Sequence, residues 1–245
     1  MAILVTRPLP DGATTADTLR AKGFAVLLAP MLRFEPVAFH DDSDALYGAV
    51  IVTSANALRA IETRLAGSAL LKLPLFAVGE HTAQAARAAG FTQVISANSD
   101  AAGLRERIVA SVKAKVLKKT SPLLYLAGAD LARDLPGELG ERGFTVVTQT
   151  TYRMVAVRSL PEETRKAFAD GEVEAVLHYS RRSARAFIEA VRAAGVEVSA
   201  LSLLQCSISA AVATVLRDAG AGRVVVALSP DQGALFVALD GALPR

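Results

Sequence analysis

The residues in this sequence best suited to chemistry are small, polar and set directly after short apolar runs. They read Thr6-Arg7-Pro8, Thr53-Ser54-Ala55-Asn56, Gly79-Glu80-His81-Thr82, Gly128-Ala129-Asp130, Ser180-Arg181-Arg182-Ser183, Ser207-Ile208-Ser209 and Ser229-Pro230-Asp231. In a parallel α/β sheet ligands gather beyond the carboxyl ends of the strands, where the next helix presents unpaired backbone N–H groups and the positive end of its dipole. Thr53, Ser54, Asn56, Gly79, Thr82, Gly128, Ser180 and Ser209 could therefore line a receptor for carboxylates or phosphates, with Arg7, Arg181 and Arg182 supplying charge. Any single Ser, Thr or Asp at such a place is also an ordinary helix N-cap. Several together make a receptor.

The common catalytic kits are missing. No G-x-G-x-x-G follows a strand and no G-x-x-x-x-G-K-[ST] occurs, so no nucleotide cofactor is expected. His40, His81 and His178 are scattered, without zinc spacing or H-E-x-x-H, and no metal is expected. Ser54 and Ser180 lack the G-x-S-x-G elbow of a triad hydrolase. His178 fills a strand position, and Cys206, the single cysteine, sits in an apolar run where an inert buried thiol is expected. Tyr152 stands on a long extended run, either as a half-buried strand residue or as an exposed phenol bordering a cleft.

The elements that must position these residues repeat along the chain. Short β-branched runs alternate with amphipathic Ala/Leu/Arg segments, the pattern of βα units around parallel sheets, so the fold class is α/β. Strands are expected at Ile3–Thr6, Ala25–Ala29, Ala49–Thr53, Leu75–Val78, Gln93–Ser96, Leu123–Leu126, Thr145–Thr148, Ala175–Tyr179, Ser202–Ser207 and Arg223–Leu228. The clearest helices fall at Thr14–Lys22, Ala55–Leu65, Thr82–Ala89, Ala101–Lys113, Leu131–Arg142, Arg182–Ala194, Ala210–Ala219 and Gln232–Leu239. The two halves echo each other. The segment from Leu19 to Val26 matches that from Leu139 to Val146, Ala49 to Ser54 matches Ala175 to Ser180, and Ala88-Ala89-Gly90-Phe91 matches Asp218-Ala219-Gly220-Ala221. Two similar βα domains follow. The extended runs at about 31–39 and 150–157 occupy equivalent places and read as paired linkers. Periodicity alone leaves open whether the halves are sequential or whether the first βαβ unit packs with the C-terminal half around an inserted domain.

Composition narrows the partners. Apolar residues make up 52% and charged residues 21%, ample for a buried core. With no Trp and 5% aromatics, base stacking on single-stranded nucleic acid is disfavoured, and a net charge of +3 without a Lys/Arg run suits a small polyanion. No nucleic acid is expected as partner. The opening residues lack the pattern of a signal peptide and no apolar run reaches the length of a membrane span, so a cytoplasmic protein off the membrane is expected.

Along essentially the whole chain the sequence resembles the uroporphyrinogen-III synthase family. The resemblance is carried by the order and spacing of Val5-Thr6-Arg7-Pro8, Phe34-Glu35-Pro36, the segment Ile51 to Ala57, the segment Ala77 to Ala83, Leu124-Tyr125-Leu126-Ala127-Gly128 and Val147-Thr148-Gln149-Thr150-Thr151-Tyr152. It implies two α/β domains, 1–35 with 156–245 and 36–155, joined by a two-stranded antiparallel linker. Hydroxymethylbilane, an anionic linear tetrapyrrole, would bind between them and be cyclised with inversion of ring D through a spiro intermediate, with no cofactor. Such an enzyme is a cyclising hydro-lyase of haem biosynthesis. The resemblance also implies a monomer with room for transient contact with the preceding pathway enzyme. Tyr152 matches the family's functional tyrosine and would act as general acid, and Ser54, Thr82 and Ser180 match polar positions that hold carboxylates. Two departures stand out: Ile208-Ser209-Ala210-Ala211 lacks the Gly and paired Thr of some members, and Asn56 stands where some carry Arg. Competing readings are a two-lobed cytosolic small-ligand binding protein and a two-lobed glycosyltransferase, for which about 120 residues per lobe is small.

Overall fold

The computed structural model describes residues 1–39, 46–131 and 133–243. His40 lies outside them. In chain order the elements are β1 (Ala2–Val5), α1 (Asp11–Ala21), β2 (Ala25–Leu28), β3 (Leu32–Pro36), β4 (Ala49–Val52), α2 (Ala55–Leu65), β5 (Leu75–Ala77), α3 (Glu80–Ala88) and β6 (Val94–Ser96). They continue with α4 (Ala101–Lys113), β7 (Leu123–Gly128), α5 (Leu135–Gly140), β8 (Val146–Ala156), α6 (Glu162–Ala169), β9 (Val173–His178), α7 (Arg181–Ala193), α8 (Glu197–Ser202), β10 (Leu204–Ser207), α9 (Ala210–Asp218), β11 (Arg223–Val226) and α10 (Gln232–Ala242). The alternation legible in the sequence is an α/β fold with two sheets.

The chain divides into two compact units, Met1–Phe34 with Val155–Arg245, and Glu35–Met154. The first unit is built on a sheet of order β11-β10-β9-β1-β2, parallel throughout. Its strands alternate between two apolar layers, as both faces of a parallel sheet must be covered. Leu4 and Val176 pack with Phe187 and Val191 of α7, whereas Ile3, Val5 and Leu177 pack with Leu19 of α1 and Leu235 and Phe236 of α10.

The second sheet runs β3-β8-β7-β4-β5-β6, with parallel pairing from β8 to β6. Val50, Val52, Leu124 and Leu126 face a layer with Leu58 and Ile61 of α2, and Ala49, Ile51, Leu123 and Tyr125 face one with Leu104 and Ile108 of α4. From β6 to β8 the order repeats that of the first unit from β11 to β2, so β4 stands where β9 stands, β5 where β10, and β7 where β1. The glycines ending matched helices share a left-handed backbone, Gly23 with Gly143 at φ 91° and 81°, and Gly90 with Gly220 at φ 100° and 96°. At the sheet edge the amide of Val37 donates to the carbonyl of Thr151 (2.7 Å) and that of Val157 to Met31 (3.0 Å), opposite orders along the two segments that mark an antiparallel pair.

Several elements differ from the sequence reading. The helix expected at Leu131–Arg142 is confined to Leu135–Gly140, because Asp134 caps it by accepting from the amide of Gly137 (2.9 Å) and Pro136 fits only its first turn. The separate strand and linker read at Thr145–Thr148 and 150–157 are one 11-residue strand, β8. Helices α6 and α8 went unmarked, since short segments of 8 and 6 residues show little periodicity.

Candidate functional site

The strand-end residues fall into two sets, one in each unit. In the second unit β4 ends at Val52, and Thr53 lies beside the buried Tyr125 of β7 with their hydroxyls 2.9 Å apart. Burial raises the Tyr125 phenol pKa and the Thr53 hydrogen bond opposes the shift. Ser54 then caps α2, accepting from the Asn56 amide at 3.3 Å. Asn56 accepts from the Arg59 guanidinium at 2.6 Å and its amide lies 4.0 Å from the Met154 sulfur of β8, so it joins α2 to that strand. Gly79 is the N-cap of α3 with open space above its Cα, and Thr82, in the next turn, is 5% exposed. Tyr152 packs partly buried against the layer of Val50, Leu124 and Leu126, with its ring over Gly128.

In the first unit Ser180 caps α7 by accepting from the Ser183 amide (3.1 Å), with the two serine hydroxyls 2.9 Å apart. Arg181 and Arg182 open the same helix and are exposed. Ser209 is the N-cap of α9 without a side-chain cap bond. Arg7 is used differently from a free anion receptor. Its guanidinium donates to Asp11 (2.9 Å), to Gln232 (2.9 Å) and to Thr15 (3.5 Å), and lies 4.9 Å above the Tyr179 ring. It ties the loop after β1 to α1 and α10.

The caps divide the helix N-termini by charge. Asp100 at α4 accepts from the Gly103 amide and Asp231 at α10 from the Ala234 amide, and both carboxyls are held below their ordinary pKa, Asp100 chiefly by that amide and Asp231 chiefly by the Ser229 hydroxyl. Those N-termini already hold a carboxylate. The helices α2, α3, α7 and α9, each following a strand, begin instead at the uncharged Ser54, Gly79, Ser180 and Ser209. Glu80 in the first turn of α3 is paired with Arg87 (2.6 Å). A visiting carboxylate would meet backbone N–H groups without a resident anion in the first turn at α2, α7 and α9, and at α3 beside a Glu80 already neutralised by Arg87.

The sequence singled out neither Gln205 nor Thr151. Gln205 accepts through its Oε1 from His178 Nε2 (2.9 Å) and donates through its amide nitrogen to the Ala200 carbonyl, holding a wholly buried histidine whose pKa burial lowers to about 4. The signal for it was an amide inside the apolar run Leu203-Leu204-Gln205-Cys206. Burial pushes the Cys206 thiol up to about 12, which makes it a poor nucleophile. Among the described residues no three His, Cys, Asp or Glu side chains are grouped to hold a metal ion, and no helix is long and apolar enough to cross a membrane.

Residues 13–237 match the family model described as Uroporphyrinogen-III synthase HemD. A search of curated proteins found no match. Among solved structures the chain is similar to uroporphyrinogen-III synthetase from Helicobacter pylori, with 18% identity, 98% of each chain covered and a TM-score of 0.65. It is also similar to a mutant uroporphyrinogen III synthase from Thermus thermophilus, with 18% identity, 98% of this chain and 97% of that one covered and a TM-score of 0.58. At this identity the two structures speak for the fold.

Proposed function

The chain belongs to the uroporphyrinogen-III synthase HemD family, and from that premise we propose that it cyclises hydroxymethylbilane to uroporphyrinogen III with inversion of ring D. The family match across 13–237 carries the reading and leaves the small-ligand binding alternative without support. The bilane's side-chain carboxylates meet the uncharged N-termini at Ser54, Gly79, Ser180 and Ser209, with Thr53, Asn56 and Thr82 adding polar contacts and Arg181 and Arg182 adding charge. Arg7 shapes that surface by holding α1 and α10, rather than by giving the substrate a free guanidinium.

Bilane cyclises unaided without inversion, so the protein's task is to hold one reactive fold of the chain and to help the hydroxyl leave. Tyr152 is the general acid in this reading: its Oη gives a proton as the C–O bond breaks, water departs, and a cationic azafulvenium beside the tyrosinate is left for ring D to attack at its substituted position, the proton shed when the macrocycle regains its pyrrole rings returning to the phenolate. The reaction is that of a cyclising hydro-lyase. The two compact units are its two domains, with β3 and β8 carrying the chain from one to the other, and the enzyme works as a cytoplasmic monomer. Transient contact with the preceding enzyme of the pathway would shorten the lifetime of free bilane.

Incubation with freshly prepared hydroxymethylbilane, then oxidation and chromatographic separation of type I and type III porphyrins, tests the reading. Type III product is expected, undiminished after dialysis against a chelator. Type I alone, at the rate of the unassisted reaction, would remove the assignment.

A further inference from the structure

We propose that Gly128 and Thr151 are positioning residues that turn the Tyr152 phenol onto the working face of the second sheet. The proposal rests on the general-acid reading of Tyr152. From Leu123 to Ala127, β7 pairs in step with Val146 to Thr150 of β8, but the next pair is Gly128 with Tyr152, leaving Thr151 as an extra residue. One inserted residue sends the side chains that follow to the opposite face. Val146 packs with Leu123 and Tyr125 on the α4 side, and Tyr152, an even number of residues later, would share that side in an unbroken strand. Instead it packs with Leu124 and Leu126 on the α2 side, where Ser54 and Asn56 begin the helix.

The slip is pinned from both strands. Thr151 is fully buried and its hydroxyl donates to the Ala127 carbonyl (3.3 Å), while the Ala129 amide donates to the Tyr152 carbonyl (2.8 Å). Gly128 completes the device by being flat. A Cβ there would lie 2.7 Å from Tyr152 Cζ, 2.9 Å from Oη and 3.1 Å from Cε1, closer than carbon atoms pack. The ring therefore rests directly on the backbone of Gly128, which makes this glycine the floor of the phenol rather than a ligand of the substrate.

Gly128→Ala is the test, with kcat and KM for type III product, the melting temperature, and 19F spectra of protein labelled with 3-fluorotyrosine. The four tyrosines give four resonances, and Tyr152→Phe identifies the one that matters. The expected result is a kcat lower by about 10²-fold, KM within about twofold, unchanged melting, and displacement of the Tyr152 resonance alone, because misplacing a reacting group by about 1 Å costs that much. Adding Gly128→Ala to Tyr152→Phe should slow the reaction no further. Thr151→Val, which keeps the volume and loses the hydroxyl, should move the same resonance and lower kcat by a smaller factor, and Thr151→Ser should restore both. A wild-type kcat in Gly128→Ala beside a crippled Tyr152→Phe overturns the proposal alone, as does an unmoved resonance. Early melting of both variants with normal kcat per folded molecule also overturns it, since the pair would then be scaffold. A fully active Tyr152→Phe strikes the general-acid reading first and the positioning role with it.

Discussion

The two units share one strand order but fill matched places with opposite chemistry. Where β9 and β10 of the first unit carry His178, Gln205 and Ser207, the register of β4 and β5 puts Val52, Leu75 and Ala77 in the second. The buried histidine, glutamine and serine bond within the first unit: Gln205 to His178, and Ser207 to the Val225 carbonyl (2.8 Å). The second unit has a plain apolar layer there, and on it sits Tyr152, whose counterpart by the repeat is Leu32, 7% exposed. One copy of the fold is thus tied together by polar groups up to the strand ends. The other keeps an apolar seat for a phenol. A duplicated scaffold lets one half bury a polar network while its twin keeps an apolar layer under an aromatic ring.

The sharpest way to break this comparison is to remove one hydroxyl from each unit. Tyr152→Phe should lower type III formation by at least about 10²-fold, the usual weight of a general acid, and change stability by only about 1 kcal/mol. Tyr179→Phe, in a phenol whose pKa burial pushes up to about 12, should leave turnover unchanged in the same porphyrin assay. Equal losses in both would erase the distinction between the units.

Acid stability sharpens it next. Burial holds the folded His178 pKa at about 4, below the ordinary 6.5, so folding favours the neutral ring. Its contribution is whole above pH 6.5, is lost as the pH falls toward 4 because the unfolded chain takes up the proton first, and is gone below that. The shift corresponds to a loss on the order of 3 kcal/mol. His178→Val, the second unit's choice, should cost about 1–3 kcal/mol at pH 7 by stranding the Gln205 amide, yet flatten the decline between pH 6.5 and 4 in denaturant titrations. An unchanged slope would place the acid sensitivity elsewhere.

Arg181→Gln should raise KM severalfold in low salt with kcat held, and the effect should shrink toward 0.5 M salt as screening weakens an exposed charge. A drop in kcat instead would make Arg181 part of the chemistry. The smallest effects belong to the caps. Ser180→Ala, which loses the 3.1 Å bond from the Ser183 amide, should lower stability by about 1 kcal/mol, and Ser54→Ala, with its longer 3.3 Å bond, by less, both read in thermal melts.

Much of the molecule was legible in the sequence because its signals are local. The α/β class, the repeat and most elements follow from runs that alternate along the chain, and the helices expected at Ala55–Leu65 and Ala101–Lys113 have those bounds in the structure, where Ser54 and Asp100 are their N-caps. The residues expected as caps at Ser54, Ser180 and Ser209 do stand at helix N-termini. What the sequence left undecided depends on distant neighbours. That Arg7 is also engaged by Gln232, 225 positions away, has no local mark. Neither has the histidine's partner, 27 positions off in another strand. The slip at Thr151 is the clearest case: Thr150-Thr151-Tyr152 reads as an even strand, and only pairing with β7 reveals which residue is extra. Strand periodicity fixes that neighbours alternate in direction, whereas the face on which Tyr152 emerges is set by hydrogen-bond register, a relation between two strands that neither sequence segment contains.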